Sequence, residues 1–192
     1  GGGYPSGTLG CARVLAAKMS AATGRETLAF QYRLAPEHPY PAALNDALAV
    51  WDHLAYMGYG ARDILVAGDS AGGNLALELA LRLKEQSRRQ PRALILMSPW
   101  TDMTASGASY TQRAARDPML TMQYIESVRA AYCSTRTDFE APCFSPLFAD
   151  LRGLPPTLIQ VGTNEILFSD SEQLHQKMQE QNVFSTLEVY ED

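Results

Sequence analysis

The stretch Asp63-Ile-Leu-Val-Ala-Gly-Asp-Ser-Ala-Gly-Gly-Asn74 decides how this chain is read. Ile64 to Ala67 is a short apolar run with β-branched residues at 64 and 66, the pattern of a buried parallel strand. Leu75 to Arg88 reads as a helix, apolar at 75, 79 and 83 and charged toward its end. Between them Gly68-Asp-Ser-Ala-Gly72 fits Gly-x-Ser-x-Gly, the pattern of a serine set on a very sharp strand-to-helix turn. Such a turn needs small neighbours two residues either side, because side chains there would collide with the adjoining strand and helix. The helix start beyond the serine also offers backbone N–H groups and positive dipole character to a developing oxyanion. The competing reading is the Gly-rich turn of a doubly wound nucleotide-binding fold.

Outward from this point, strands and helices alternate. Helical spacing runs from about Leu9 to Ala22 and is closed by Gly24. Thr27 to Tyr32 is strand-like, residues 33–41 form a proline-stiffened loop, and Ala42 to Tyr56 is a second helix. After the serine turn, Ala93 to Met97 reads as a buried strand ending in Ser98-Pro-Trp-Thr-Asp102. Residues 103–148 are irregular around one helix near Thr121 to Tyr132, and their undiminished apolar content marks an insertion rather than a linker. Pro156 to Val161 is the next strand, then a helix capped by Ser169 or Asp170 and running to about Gln181, then a strand from Ser185 to Tyr190. The expected fold class is α/β, with a mainly parallel sheet flanked by helices.

Composition bounds the rest. At 192 residues and 46% hydrophobic content, one domain over 1–192 is expected. The net charge is -5 and no basic cluster exceeds Arg88-Arg89, which argues against nucleic acid and anionic membrane surfaces as partners. Cys11, Cys133 and Cys143 lack metal-site spacing and suggest incidental thiols in a reducing, cytoplasmic setting. No run approaches the roughly 18 apolar residues of a membrane helix. A chain opening on Gly-Gly-Gly without methionine reads as a fragment or a processed product.

Five stretches together resemble the bacterial hormone-sensitive-lipase family of α/β-hydrolases. They are Gly1-Gly-Gly-Tyr4, Tyr32-Arg-Leu-Ala-Pro-Glu-His-Pro-Tyr-Pro-Ala-Ala-Leu44, Gly68-Asp-Ser-Ala-Gly-Gly-Asn74, Ser98-Pro-Trp-Thr-Asp102 and Gly153-Leu-Pro-Pro156. The resemblance implies an esterase cleaving small acyl esters through a Ser–His–acid triad, without metal or organic cofactor. It makes Ser70 the nucleophile and assigns the N–H groups of Gly2, Gly3 and Ala71 to the oxyanion. It puts Glu165 on the triad acid and Asp170 on a helix-capping position, with Asp102 the alternative acid. Asp69 reads as a structural hydrogen-bonder, and Arg33 and Glu37 as ties for the proline loop. Met119 to Met122 and Tyr124 line an acyl pocket or pack the core.

The histidine is the missing part. His38 precedes the serine, His53 lies on a helix, and His175 falls on a helix before the last strand and reads as solvated. The family's histidine follows a segment resembling Glu188 to Asp192, so the resemblance places it beyond residue 192 and implies truncation at both ends. The 192 residues alone are then expected to be nearly inactive. Two other functions share the pattern: a non-catalytic small-ligand receptor on this fold, and a lactonase or amidase using the same triad.

Overall fold

A computed structural model describes residues 1–191, apart from the side chain of Cys11. Asp192, the end of the segment expected to lead into the histidine, lies outside the described residues. Ten principal elements follow in order: α1 (Leu9–Thr23), α2 (Ala42–Tyr56), β1 (Leu65–Asp69), α3 (Ala71–Glu85), β2 (Ala93–Met97), α4 (Ser109–Gln112), α5 (Met122–Cys133), β3 (Thr157–Gly162), α6 (Phe168–Glu180) and β4 (Ser185–Tyr190). Short 3-10 turns at Ala61–Asp63 and Pro146–Phe148 complete them.

The sheet is parallel throughout, in the order β1-β2-β3-β4. Register aligns the strand ends: Asp69 pairs with Met97, Met97 with Gln160, and Gln160 with Glu188. The loops that leave the carboxyl ends of β1, β2 and β3 therefore meet on one edge of the sheet. Open α/β sheets bind their ligands along that edge.

Packing follows the apolar pattern. Leu77 and Ala80 of α3, Leu94 and Leu96 of β2, Ile159 of β3, and Leu174 and Met178 of α6 form a core between sheet and helices. A second core joins the opening loop to residues 103–148 through Tyr4, Leu44, Leu75, Trp100, Tyr110, Ile125, Tyr132 and Phe144. The segment read as an insertion is thus part of the packed body, held by fully buried aromatic rings.

Several expectations change. Thr27 to Tyr32 is extended but joins no strand among the described residues; its β-branched and aromatic content favours extension, and a strand also needs a ladder partner. β1 is half-buried with Ala67 exposed, since among the described residues β2 is its only ladder partner. The helix after the serine begins at Ala71, four residues before the apolar spacing announces it. Thr121 caps α5, its hydroxyl accepting from the Tyr124 N–H at 3.2 Å. Asp170 does not cap α6, which starts two residues earlier at Phe168; its carboxylate turns inward instead.

Candidate active site

The site starts from the backbone of Ser70. Its φ of 53° and ψ of -120° are strained for a residue with a side chain, a cost of about 1–3 kcal/mol met by surrounding bonds. The Ser70 N–H donates to Met97 O at 2.9 Å, and Ser70 O accepts from the N–H groups of Trp100, Gly73 and Asn74 at 3.1, 3.0 and 3.2 Å. A Cβ on Gly68 would lie 2.1 Å from Gly72 O, the collision that the turn pattern anticipates. At Gly72 the obstacle is different: a Cβ there would sit 2.8 Å from the Gly1 nitrogen. The second glycine is small because the opening loop lies against the helix start.

That loop is held from three sides. Gly1 O accepts from the Tyr32 hydroxyl at 2.7 Å. Gly2 O accepts from the Ser6 N–H at 3.0 Å and from the Ser6 hydroxyl at 2.9 Å. Tyr4 is buried, its ring stacked on Tyr132 at 3.6 Å between centroids. Its hydroxyl donates to Asn74 Oδ1 at 2.7 Å, and Asn74 Nδ2 donates to Trp100 O at 2.8 Å and Phe144 O at 2.9 Å. One buried amide thereby joins the opening loop, α3, the loop after β2 and residues 103–148. The N–H groups of Gly2, Gly3 and Ala71 donate to no acceptor among the described residues. Ala71 is the first residue of α3, where an amide has no partner within the helix.

Glu165 stands in the loop after β3, half-buried. Its Oε1 accepts from the Gly162 N–H at 2.7 Å and from the Ser98 hydroxyl at 2.9 Å. Its Oε2 has no partner among the described residues, leaving one oxygen for a further donor. The loop is pinned by residues 103–148: Asp117 Oδ2 accepts from the Ile166 N–H at 2.8 Å, and the Arg113 guanidinium donates to Thr163 O while lying 3.6 Å over the Phe168 ring.

Asp102 is placed differently. Its Oδ1 accepts from the N–H and hydroxyl of Thr104, and its Oδ2 from the N–H and hydroxyl of Ser106. Both oxygens are spent on fixing one turn. Asp170 Oδ2 accepts from the N–H groups of Thr101 and Asp102 at 2.7 and 2.9 Å, tying the loop after β2 to α6. Burial pushes its carboxyl up to about 8.

Among the described residues none of the three histidines bonds to Ser70 or Glu165. His38 and His53 are exposed on the proline loop and α2. His175 is half-buried rather than solvated, its Nδ1 2.8 Å from Ser185 Oγ. Ser185 opens β4 in register with Thr157, five residues before the strand end at Gly162. At ~3.3 Å per residue this is roughly 16 Å from the level of the Glu165 loop.

Other side chains sort as follows. Arg33 does tie the proline loop down, through a bidentate pair with Asp46 of α2, while Glu37 is exposed without a partner among the described residues. Asp69 is half-exposed beside Gly1. Met119 is 86% exposed, and Leu120 packs against the aromatic core. Tyr124 and Val128 of α5 border the opening loop: a Cβ on Gly3 would lie 3.0 Å from the Tyr124 hydroxyl and 3.0 Å from Val128 Cγ1. Cys133 is buried and Cys143 half-buried. Among the described residues no group of three or more His, Cys, Asp and Glu could hold a metal ion, and no helix is long and apolar enough to cross a membrane.

The profile of the alpha/beta hydrolase fold family matches residues 1–192. The chain belongs to that family. Within it, the chain is 38% identical over 190 residues to an esterase of Acinetobacter venetianus, covering 99% of the chain and 63% of the relative. It is 39% identical over 176 residues to an acetyl-hydrolase of Streptomyces hygroscopicus, covering 92% of the chain and 58% of the relative. Among solved structures it superposes on EstE5 soaked with p-nitrophenyl butyrate at a TM-score of 0.95 and 40% identity, over all of this chain and 64% of that one. An esterase from the bacterial hormone-sensitive-lipase family gives a TM-score of 0.96 at 39% identity, again over 100% of this chain and 64% of that one. The resemblance read from the five sequence stretches is thereby established, and the chain spans about three fifths of the length of these α/β-hydrolases.

Sequence reasoning missed Ser98, Tyr32 and Asn74 as parts of the site. Each lies inside a quoted stretch, so position was legible; what it bonds to was not.

Proposed function

We propose that the full-length protein is a carboxylic-ester hydrolase acting on small acyl esters, with Ser70 as nucleophile. The observation that carries this reading is the strained Ser70 turn beside undonated amides of Gly2, Gly3 and Ala71. The relatives named esterase and acetyl-hydrolase supply the acyl class. Ser70 Oγ attacks the ester carbonyl as a histidine takes its proton, and the carbonyl oxygen becomes an oxyanion among the three N–H groups. Collapse breaks the C–O bond, the histidine returns the proton to the departing alcohol, and water releases the acid from the acylated serine.

Glu165 is the triad acid of this proposal. Its Oε1 is fixed by Gly162 and Ser98 while Oε2, without a partner among the described residues, is left to accept from an imidazole, whereas both oxygens of Asp102 are engaged. Among the described residues none of His38, His53 and His175 bonds to Glu165, so the general base is taken to be a histidine beyond Asp192. The chemistry requires no metal or organic cofactor.

The test is p-nitrophenyl butyrate hydrolysis by the full-length protein and its Ser70→Ala variant. Activity at least ~1,000-fold lower in the variant is expected from loss of the nucleophile. Retained turnover in a folded variant, or a full-length protein that binds esters without cleaving them, would sink the mechanism. The second outcome is what a receptor on this fold predicts.

A further inference from the structure

The structure assigns Tyr32 and Ser6 a role in catalysis at one remove: they aim the oxyanion-binding amides. A trans peptide unit is planar, and its N–H points opposite to its C=O. The Gly2 N–H belongs to the peptide whose carbonyl is Gly1 O, and that oxygen is held by the Tyr32 hydroxyl at 2.7 Å. The Gly3 N–H belongs to the peptide whose carbonyl is Gly2 O, and that oxygen is held by the Ser6 N–H and hydroxyl at 3.0 and 2.9 Å. Each hydrogen bond made on the carbonyl side therefore fixes the direction of a free amide on the other.

The loop needs this help. Gly2 and Gly3 have φ of 79° and 61°, and glycine peptides flip readily where nothing anchors them. A flip of either unit would exchange an N–H for a carbonyl oxygen facing the developing negative charge. Tyr32 suits its task. It is anchored beside Tyr4 and Phe30, with ring centroids 6.1 and 6.4 Å away, and burial, with Asp69 nearby, pushes its hydroxyl up to about 12. The hydroxyl thus remains a donor across the working range of an esterase. Tyr32 sits in a segment that looks like a strand, yet among the described residues its hydroxyl bond to Gly1 replaces any ladder.

Both are positioning residues, since they touch the loop and not the reacting atoms, and the assignment rests on the esterase reading above. Its signature is a loss confined to the charged transition state. In full-length protein, Tyr32→Phe is expected to lower kcat for p-nitrophenyl butyrate about 10-fold with KM within twofold, less than the 10²–10³-fold known for deleting a donor outright. Inhibition by butylboronic acid, which forms a tetrahedral anionic adduct on a serine, is expected to weaken by the same factor. Ser6→Ala, at an exposed position, is expected to lose about threefold in kcat, because the Ser6 N–H still holds Gly2 O. Rising KM with unchanged kcat in Tyr32→Phe, or boronate affinity unaltered in both variants, would overturn the assignment while leaving the esterase standing. A wild-type protein that neither hydrolyses the ester nor binds the boronate overturns both.

Discussion

Asn74 offers the sharpest test of how the site is held. It is fully buried and makes three hydrogen bonds, at 2.7 Å from Tyr4 and at 2.8 and 2.9 Å to the carbonyls of Trp100 and Phe144. Asn74→Ala removes the partner of all three groups at once. A buried polar group left unsatisfied costs about 1–3 kcal/mol, so the sum spans about 3–9 kcal/mol. Water admitted to the vacated space recovers part of it, which puts the expected loss near the lower end, about 4 kcal/mol. With an unfolding entropy of about 2.1 cal/mol/K per residue, that is a drop in Tm of roughly 10 °C for 192 residues and roughly 6 °C for a protein of the relatives' length. Tyr4→Phe breaks only one of the bonds and should cost about 1–2 kcal/mol. Because the two residues share that bond, the double variant should lose about 1 kcal/mol less than the sum of the singles. Calorimetry on the four full-length proteins reads all of this. A loss below about 1 kcal/mol in Asn74→Ala, or strict additivity with Tyr4→Phe, would show that the amide does not join these segments.

Two further perturbations separate neighbouring roles. Ser98→Ala should lower kcat for p-nitrophenyl butyrate about 10-fold with KM little changed, because one of two donors to Glu165 Oε1 is lost. Asp102→Asn should instead cost about 1–2 kcal/mol in thermal stability and spare kcat, since its oxygens serve Thr104 and Ser106; a kcat collapse there would move the triad acid to Asp102. Glu78, buried on α3 with no partner for Oε1, has its carboxyl pushed by burial from 4.5 to about 8, with Arg82 opposing and Glu85 adding to the shift. The folded chain then holds a proton that the unfolded chain releases, so this stabilisation is complete below about pH 4.5 and lost as pH rises through 8. Melting temperature should therefore fall between pH 6 and 9, and less steeply in Glu78→Gln; equal slopes would refute the assignment, Asp170 contributing the same sign in both proteins.

Much of the fold was legible because its signals are local. Ile64 to Asn74 carries its own strand, turn and helix start, and the need for Gly68 follows from atoms within four residues of it, as the 2.1 Å clash with Gly72 O shows, whereas Gly72 answers to the distant Gly1. Signals that depend on a distant partner were not legible. Thr27 to Tyr32 has the composition of a strand, but pairing is decided by what lies alongside. Asp170 looks like a cap because it sits near a helix start, yet its oxygen serves two amides of a loop 68–69 residues away in sequence. His175 reads as a surface residue on its helix, yet it is half-buried and meets Ser185 of the next strand.

The same distinction explains how the candidate site is built. Parallel register brings Ser70, Ser98 and the Glu165 loop to one level of the sheet, and this needs only three strands ending together. Register cannot supply orientation, since a strand end leaves a loop free to turn. Orientation comes from residues far in sequence: Tyr32 on Gly1, Asn74 on Trp100 and Phe144, Asp117 on Ile166, and Ser98 on Glu165. Residues 103–148 supply two of these anchors, Phe144 and Asp117, one behind the serine turn and one behind the acid. Loosening that segment should therefore disturb nucleophile and acid together, which a linker between strands could not do.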